Sequence, residues 1–169
     1  MRKEGYLALY TGVYSRPRLA KALAVTDTVI TYLTVAVYGF FIGYLVFGNT
    51  VLGLQFLAVT ATPFVIVTIM RRVINAPRPY EVIEHDALAT LKSGGKQGHA
   101  FPSRHVASSF IIGSALLFIS PPVGISVMAL GAVLGFCRVA LGRHFLRDVI
   151  VGAVIGGIAG TVGMLITMI

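Results

Sequence analysis

The chain contains one cysteine, no tryptophan and only six acidic residues among its 169, and each scarcity excludes something. With Cys137 alone, no intrachain disulfide can form, and the redox compartment stays open. Without Trp, any aromatic belt at a membrane interface must be built from the seven Tyr and ten Phe. Lys and Arg number 14, giving a net charge of +8, so anionic partners are favoured: lipid head groups, phosphate substrates or nucleic acid. Nucleic acid is the poorest fit, since no basic-aromatic recognition motif is present and the apolar runs need a bilayer. Charged residues make up 12% and hydrophobic ones 56%, with a mean hydropathy of +0.86. That balance lies outside the range of ordinary soluble domains and predicts one membrane domain over residues 1–169.

Thr28–Phe47 and Val51–Met70 are uncharged and long enough to span. The tight turn Gly48-Asn49-Thr50 joins them into a helical hairpin, with a kink expected at Pro63. Val106–Ile119 and Val123–Cys137 are shorter, separated by Ser120-Pro121-Pro122. They reach span length only if their helices extend through Ser103 and toward Leu141. Val149–Ile169 closes the chain, with Gly152, Gly156 and Gly160 at the spacing that lets helix backbones approach; Gly131 and Gly135 repeat it. The prediction is an all-α integral membrane bundle of about five transmembrane helices. Residues 1–26 carry Arg2, Lys3, Arg16, Arg18 and Lys21 among apolar residues. Arg16-Pro17-Arg18 cuts the apolar stretch too early for a signal peptide, so an N-terminal amphipathic interfacial helix is expected.

Five spans place the N-terminus, the polar segment 71–102 and the segment 138–148 on one face with all the Lys and Arg. Ser103 stands where an N-cap belongs, with Pro102 before it. A helix starting there offers free N–H groups and its positive dipole end to an anion, and Arg104 and His105 stand beside that seat. The bland alternative is a capped helix whose Arg and His reach the interface. Arg71 and Arg78 flank Asn75-Ala76-Pro77, and guanidinium forks grip phosphate oxygens in pairs. Arg138 closes the fourth span. His144 and Asp148 stand four apart, so on a helix they share a face, and an Asp holding a His fixes its tautomer and raises its basicity. Together these are charge clamps, a nucleophile with its orienting partner, and an acid for a leaving group: an inventory for phosphoryl transfer.

The chain has Arg71-x6-Arg78-Pro79, then Pro102-Ser103-Arg104-His105, then Cys137-Arg138-x5-His144-x3-Asp148. In order and spacing this resembles the type 2 phosphatidic-acid phosphatase superfamily, which also holds the vanadium haloperoxidases. The family signatures are Lys-x6-Arg-Pro, Pro-Ser-Gly-His and Ser-Arg-x5-His-x3-Asp. The resemblance implies a membrane lipid phosphatase in which His144 attacks phosphorus and forms a phosphohistidine. Asp148 would orient His144, and His105 would protonate the departing oxygen and later activate water. Arg71, Arg78, Ser103 and Arg138 would hold the phosphate oxygens, with Arg104 beside the seat. No metal or cofactor is implied, because arginines neutralise the charge. Three positions depart from the pattern: Arg71 for Lys, Arg104 for Gly and Cys137 for Ser. Arg104 adds charge where a second phosphate could sit.

The implied substrates are phosphatidic acid, phosphatidylglycerophosphate or a polyprenyl diphosphate such as undecaprenyl diphosphate. A non-catalytic lipid-phosphate binder or transporter would use the same arginines without needing His105, His144 and Asp148. A haloperoxidase is disfavoured by the spans. The resemblance further implies the cell membrane of a bacterium and an extracytoplasmic active site. The basic N-terminus points the other way under the positive-inside rule, which was built on loops between spans. Elsewhere, Glu84-His85-Asp86 reads as solvated loop rather than metal site, and His99 as a loop or pocket-wall residue rather than a catalyst. Lys92 and Lys96 read as head-group contacts or a lid, and Tyr32, Tyr38 and Tyr44 as packing or interface anchors. Oligomeric state is left open.

Overall fold

A computed structural model describes residues 3–95 and 97–168; for residues 87, 90–92 and 168 it describes the backbone alone. All regular structure among them is helical: α1 (Lys3–Tyr14), α2 (Pro17–Gly48), α3 (Thr50–Ile74), α4 (Pro79–Val82), α5 (Asp86–Gly94), α6 (Arg104–Leu116), α7 (Pro121–Ala140) and α8 (Leu146–Met168).

The all-α membrane architecture expected from hydropathy is present. Four helices, α2, α3, α7 and α8, are long and apolar enough to cross a bilayer. The fifth expected span, α6, has 13 residues, about 20 Å of rise against a hydrocarbon core of about 30 Å. It is the central helix, buried from Val106 to Leu116 on most of its surface. Its neighbours rather than lipid surround it, so its length need not match the membrane. Its deepest packing is against α8 and α7. The glycine ladder explains how. A Cβ at Gly152 would stand 2.7 Å from the Ser103 carbonyl, and those at Gly156 and Gly160 would collide with Ala107 O and Ser114 Oγ. Backbones touch there, and the ladder's role is structural.

The outer surface is apolar where it faces lipid. Val29, Tyr32, Phe40 and Phe47 on α2, and Ile150, Val154, Ile158 and Ile166 on α8, are all exposed; so large an apolar surface is stable only against hydrocarbon. Away from the polar end, Leu45, Phe56, Val59, Ile112, Leu116 and Met164 form the main core.

The N-terminal 26 residues do not form one surface helix. Pro17, at the first position of α2, starts a new helix after Arg16, so the charged stretch through Asp27 belongs to α2. α1 turns Tyr6, Tyr10 and Val13 inward, where they pack with Tyr80, Ile83, Leu88 and Val139. Its apolar face therefore lies on protein. The segment 71–102 is likewise more than a loop, since it contains α4 and α5. The lid reading of Lys92 and Lys96 concerns a side chain and a residue outside the described set.

Candidate active site

The site forms where α3 and α7 end and α6 and α8 begin. Asn75, in the left-handed region (φ 43), caps α3. Its Oδ1 accepts from His99 N at 3.3 Å, while His99 Nδ1 lies 3.0 Å from the Arg71 carbonyl and Ala100 N donates to Ala76 O at 2.9 Å. The chain leaving α3 is thus tied to the chain approaching α6. Gly98 (φ 62) is required in that tie, since a Cβ there would strike Asn75 Oδ1. The result puts Arg71 Nη1 3.0 Å from Pro102 O. Arg78 Nε donates to Gly98 O at 3.0 Å and Nη1 reaches Arg143 O at 3.5 Å. Glu81 secures this by accepting from Arg78 N at 3.0 Å and from Gly98 N at 2.8 Å. His99 is a structural tie in the loop before α6.

Ser103 occupies the N-cap of α6 as expected, but its hydroxyl makes no capping bond. Its backbone N donates instead to Asp148 O at 2.8 Å, which joins α6 to α8. Ser103 is fully buried, and its Oγ and His105 Nδ1 have no hydrogen-bond partner among the described residues. Arg104 lays its guanidinium over the Phe64 ring, 5.5 Å from the centroid.

His144 and Asp148 are close, though not as helix neighbours. His144 sits in the turn between α7 and α8, and Asp148 in the first turn of α8. Gly142 (φ 71) makes that turn, and Arg138 O accepts from both Arg143 N (2.9 Å) and His144 N (3.2 Å). His144 Nδ1 then lies 3.6 Å from Asp148 Oδ2, which also accepts from Phe145 N at 2.9 Å. Both side chains are essentially sealed from solvent. Burial lowers the His144 pKa below the usual imidazole value, against the opposing pull of Asp148; the ring is therefore neutral at neutral pH, the form that can attack.

These segments converge: Arg71 lies within electrostatic reach of Arg78, Arg104, Arg138 and Asp148, and His105 within reach of Arg138, Arg104, His144 and Arg71. All eight residues picked out by spacing stand at this end of the bundle. A cavity of about 380 Å³ opens from Arg104 and His105 into the bundle, walled by Thr34, Tyr38, Thr60 and Phe64.

Sequence reasoning missed three groups here. Asp27 is buried and ion-paired with Arg138 and Arg143; a lone carboxylate at the edge of an apolar run was the available signal. Tyr6 and Tyr14 bracket the turn that carries His144, the Tyr6 hydroxyl accepting from Leu146 N at 3.0 Å and that of Tyr14 donating to Leu141 O at 3.2 Å. Nothing in their spacing marks that role.

Fold and site together define a membrane-embedded helical chain in which arginines converge on a buried His144–Asp148 pair. Its residues 52–168 match the family model of the PAP2 superfamily. The chain belongs to that superfamily, the type 2 phosphatidic-acid phosphatase class its three motifs resemble. No curated protein sequence matches it. Among solved structures it is similar to LpxE of Aquifex aeolicus, at 23% identity and a TM-score of 0.71, over 96% of this chain and 93% of that one. It is also similar to a PAP2-type transmembrane phosphatidylglycerolphosphate phosphatase from Bacillus subtilis, at 21% identity and a TM-score of 0.59, over 98% and 84%. At these identities the likeness is one of fold.

Proposed function

We propose that the protein hydrolyses a lipid phosphate monoester or diphosphate through a phosphohistidine on His144, with arginines rather than a metal neutralising the phosphate. The observation that carries this reading is the buried His144 held against Asp148 among convergent arginines. A pure binding site has no use for a sealed imidazole–carboxylate pair, whereas a nucleophile needs one.

In this mechanism His144 Nε2 attacks phosphorus while Asp148 faces Nδ1 and stabilises the imidazolium that develops. The bond from phosphorus to the leaving oxygen breaks, and His105, whose pKa burial and the nearby arginines push down to about 3, gives that oxygen the proton it takes up with the anionic phosphate. His105 then takes a proton from water as the water attacks the phosphohistidine, releasing phosphate and restoring His144. Arg71, Arg78, Arg138 and Ser103 Oγ hold the phosphate oxygens, helped by the free N–H groups at the start of α6.

The cavity supports a lipid substrate. His105, the proposed leaving-group acid, lines it, which puts the cavity on the leaving-group side, where a hydrocarbon chain would run into the bundle. Arg104 lines the same cavity and suits a second phosphate on the leaving group, as in a polyprenyl diphosphate such as undecaprenyl diphosphate. Phosphatidic acid and phosphatidylglycerophosphate are the monoester candidates. We place the protein in a bacterial cell membrane with the site facing outward. Labelling of an Arg16→Cys variant by an impermeant thiol reagent on intact cells tests this; an unlabelled cysteine puts the site inside.

The deciding assay is phosphate release from a panel of these lipids by purified protein in detergent with EDTA. Release that persists in EDTA and disappears in His144→Ala is expected. Absence of release from every lipid by folded wild-type protein points to a non-catalytic lipid-phosphate binder.

A further inference from the structure

α2 gives most of its surface to lipid and buries only Asp27, Ile30, Thr34 and Leu45. Asp27 is 2% exposed, and a carboxylate taken out of water costs several kcal/mol unless its partners are well placed. A helix that needed only to pack would put an apolar residue there. Instead Arg138 Nε stands 2.8 Å from Oδ1 and Arg138 Nη2 donates to Oδ2 at 3.4 Å, while Arg143 Nη1 reaches Oδ2 as well. One carboxylate therefore holds two guanidiniums, from the end of α7 and the turn that follows it. One closes α7, and the other directly precedes His144.

The geometry of the pair is directional. Asp27 takes the Nε–Nη2 edge of Arg138, which leaves Nη1 outside the pair. A guanidinium is rigid and planar, so fixing one edge fixes the direction of the remaining donors. Arg138 also anchors the turn through its backbone, since its carbonyl accepts from Arg143 N and His144 N. Asp27 thus grips the same turn twice, once at Arg138 and once at Arg143.

We propose that Asp27 is a positioning residue for phosphate binding. It turns Arg138 so that its free donors face the phosphate seat. The proposal rests on the reading above only in taking Arg138 as a phosphate ligand. Asp27 touches no substrate and acts through Arg138.

The test is a double-mutant cycle between Asp27→Asn and Arg138→Ala. It is read both on the affinity of the purified protein for orthovanadate, a phosphate-shaped anion, and on kcat/KM for the best lipid of the panel. Asp27→Asn is expected to weaken vanadate binding and kcat/KM by about tenfold or more in the wild-type background, and by under about twofold when Arg138 is already Ala. An equal loss in both backgrounds would mean that Asp27 only supports the fold, and would overturn the proposal. So would a loss under about threefold in the wild-type background, or wild-type protein that binds no vanadate. If Asp27→Asn does not yield a monodisperse protein, Asp27→Glu goes through the same cycle under the same criterion, since it keeps the charge but displaces it by one methylene. Vanadate binding is read without turnover. A wild-type protein that binds vanadate yet releases no phosphate therefore defeats the hydrolase reading and leaves this one standing.

Discussion

Hydroxyl groups in the spans and polar atoms at the site meet the same problem, burial away from water, in opposite ways. Along the helices several hydroxyls are satisfied by their own helix. Thr31 donates to Asp27 O, Thr34 to Ile30 O, Thr60 to Phe56 O, Ser108 to Arg104 O and Ser109 to His105 O. At the site, Ser103 Oγ and His105 Nδ1 are buried without a hydrogen-bond partner among the described residues. An unpaired buried polar atom costs about 1–3 kcal/mol, and two stand together at the start of α6. The difference separates polarity that serves a helix from polarity held ready for a ligand. The Tyr10 hydroxyl, also unpaired, lies under α1 and has no such explanation.

The largest expected effect sharpens the functional side of that contrast. His144→Ala should lower phosphate release at least ~10³-fold, as loss of a nucleophile does, while the protein stays monodisperse in detergent. Ser103→Ala comes next and separates function from fold. Losing one oxyanion donor should cost about 10²-fold in kcat. Thermal stability in detergent should hold or rise, because an unsatisfied buried hydroxyl is removed. A Ser103→Ala protein that melts much earlier at wild-type kcat would reverse the assignment.

The pH dependence follows from His144. Its folded pKa is lowered by burial, so the unfolded chain binds the extra proton first, and the stability that this group contributes is lost as pH falls below about 6.5. Asp148→Asn removes the group that favours the charged ring, and should move the acid limb of kcat/KM lower. The smallest effect belongs to the spans. Thr68→Val and Ser126→Ala each remove a hydroxyl bonded to its own helix, so kcat should stay within about twofold and stability within about 1 kcal/mol. A large loss of activity from either would dissolve the contrast.

Much of this was legible in the sequence, because much of it is local. The motif spacings put Arg71, Arg78, Ser103, His105, Arg138, His144 and Asp148 at helix ends on one face, and helix ends are where short-range signals are strongest. The four-residue glycine ladder announced close packing before any partner helix was known. What could not be read depends on distant pairing. Asp27 finds Arg138 across 111 residues and Arg143 across 116, and a single carboxylate beside an apolar run does not name its partners. α1 looked like a membrane-surface helix because tyrosines packed on protein and tyrosines packed on lipid have the same periodicity. His144 looked helical because its four-residue spacing to Asp148 is the helical one, and only the left-handed Gly142 turn takes it off the helix.

The measurement closest to the central claim is capture of the covalent intermediate. Protein turning over its best lipid substrate, labelled with ³²P at the terminal phosphate, would be quenched in base, where phosphohistidine survives, and the labelled peptide sequenced by mass spectrometry. The account predicts label on His144, lost in His144→Ala and preserved in Thr68→Val. Steady release of phosphate by wild-type protein with no label on His144, or with label on another residue, would contradict it.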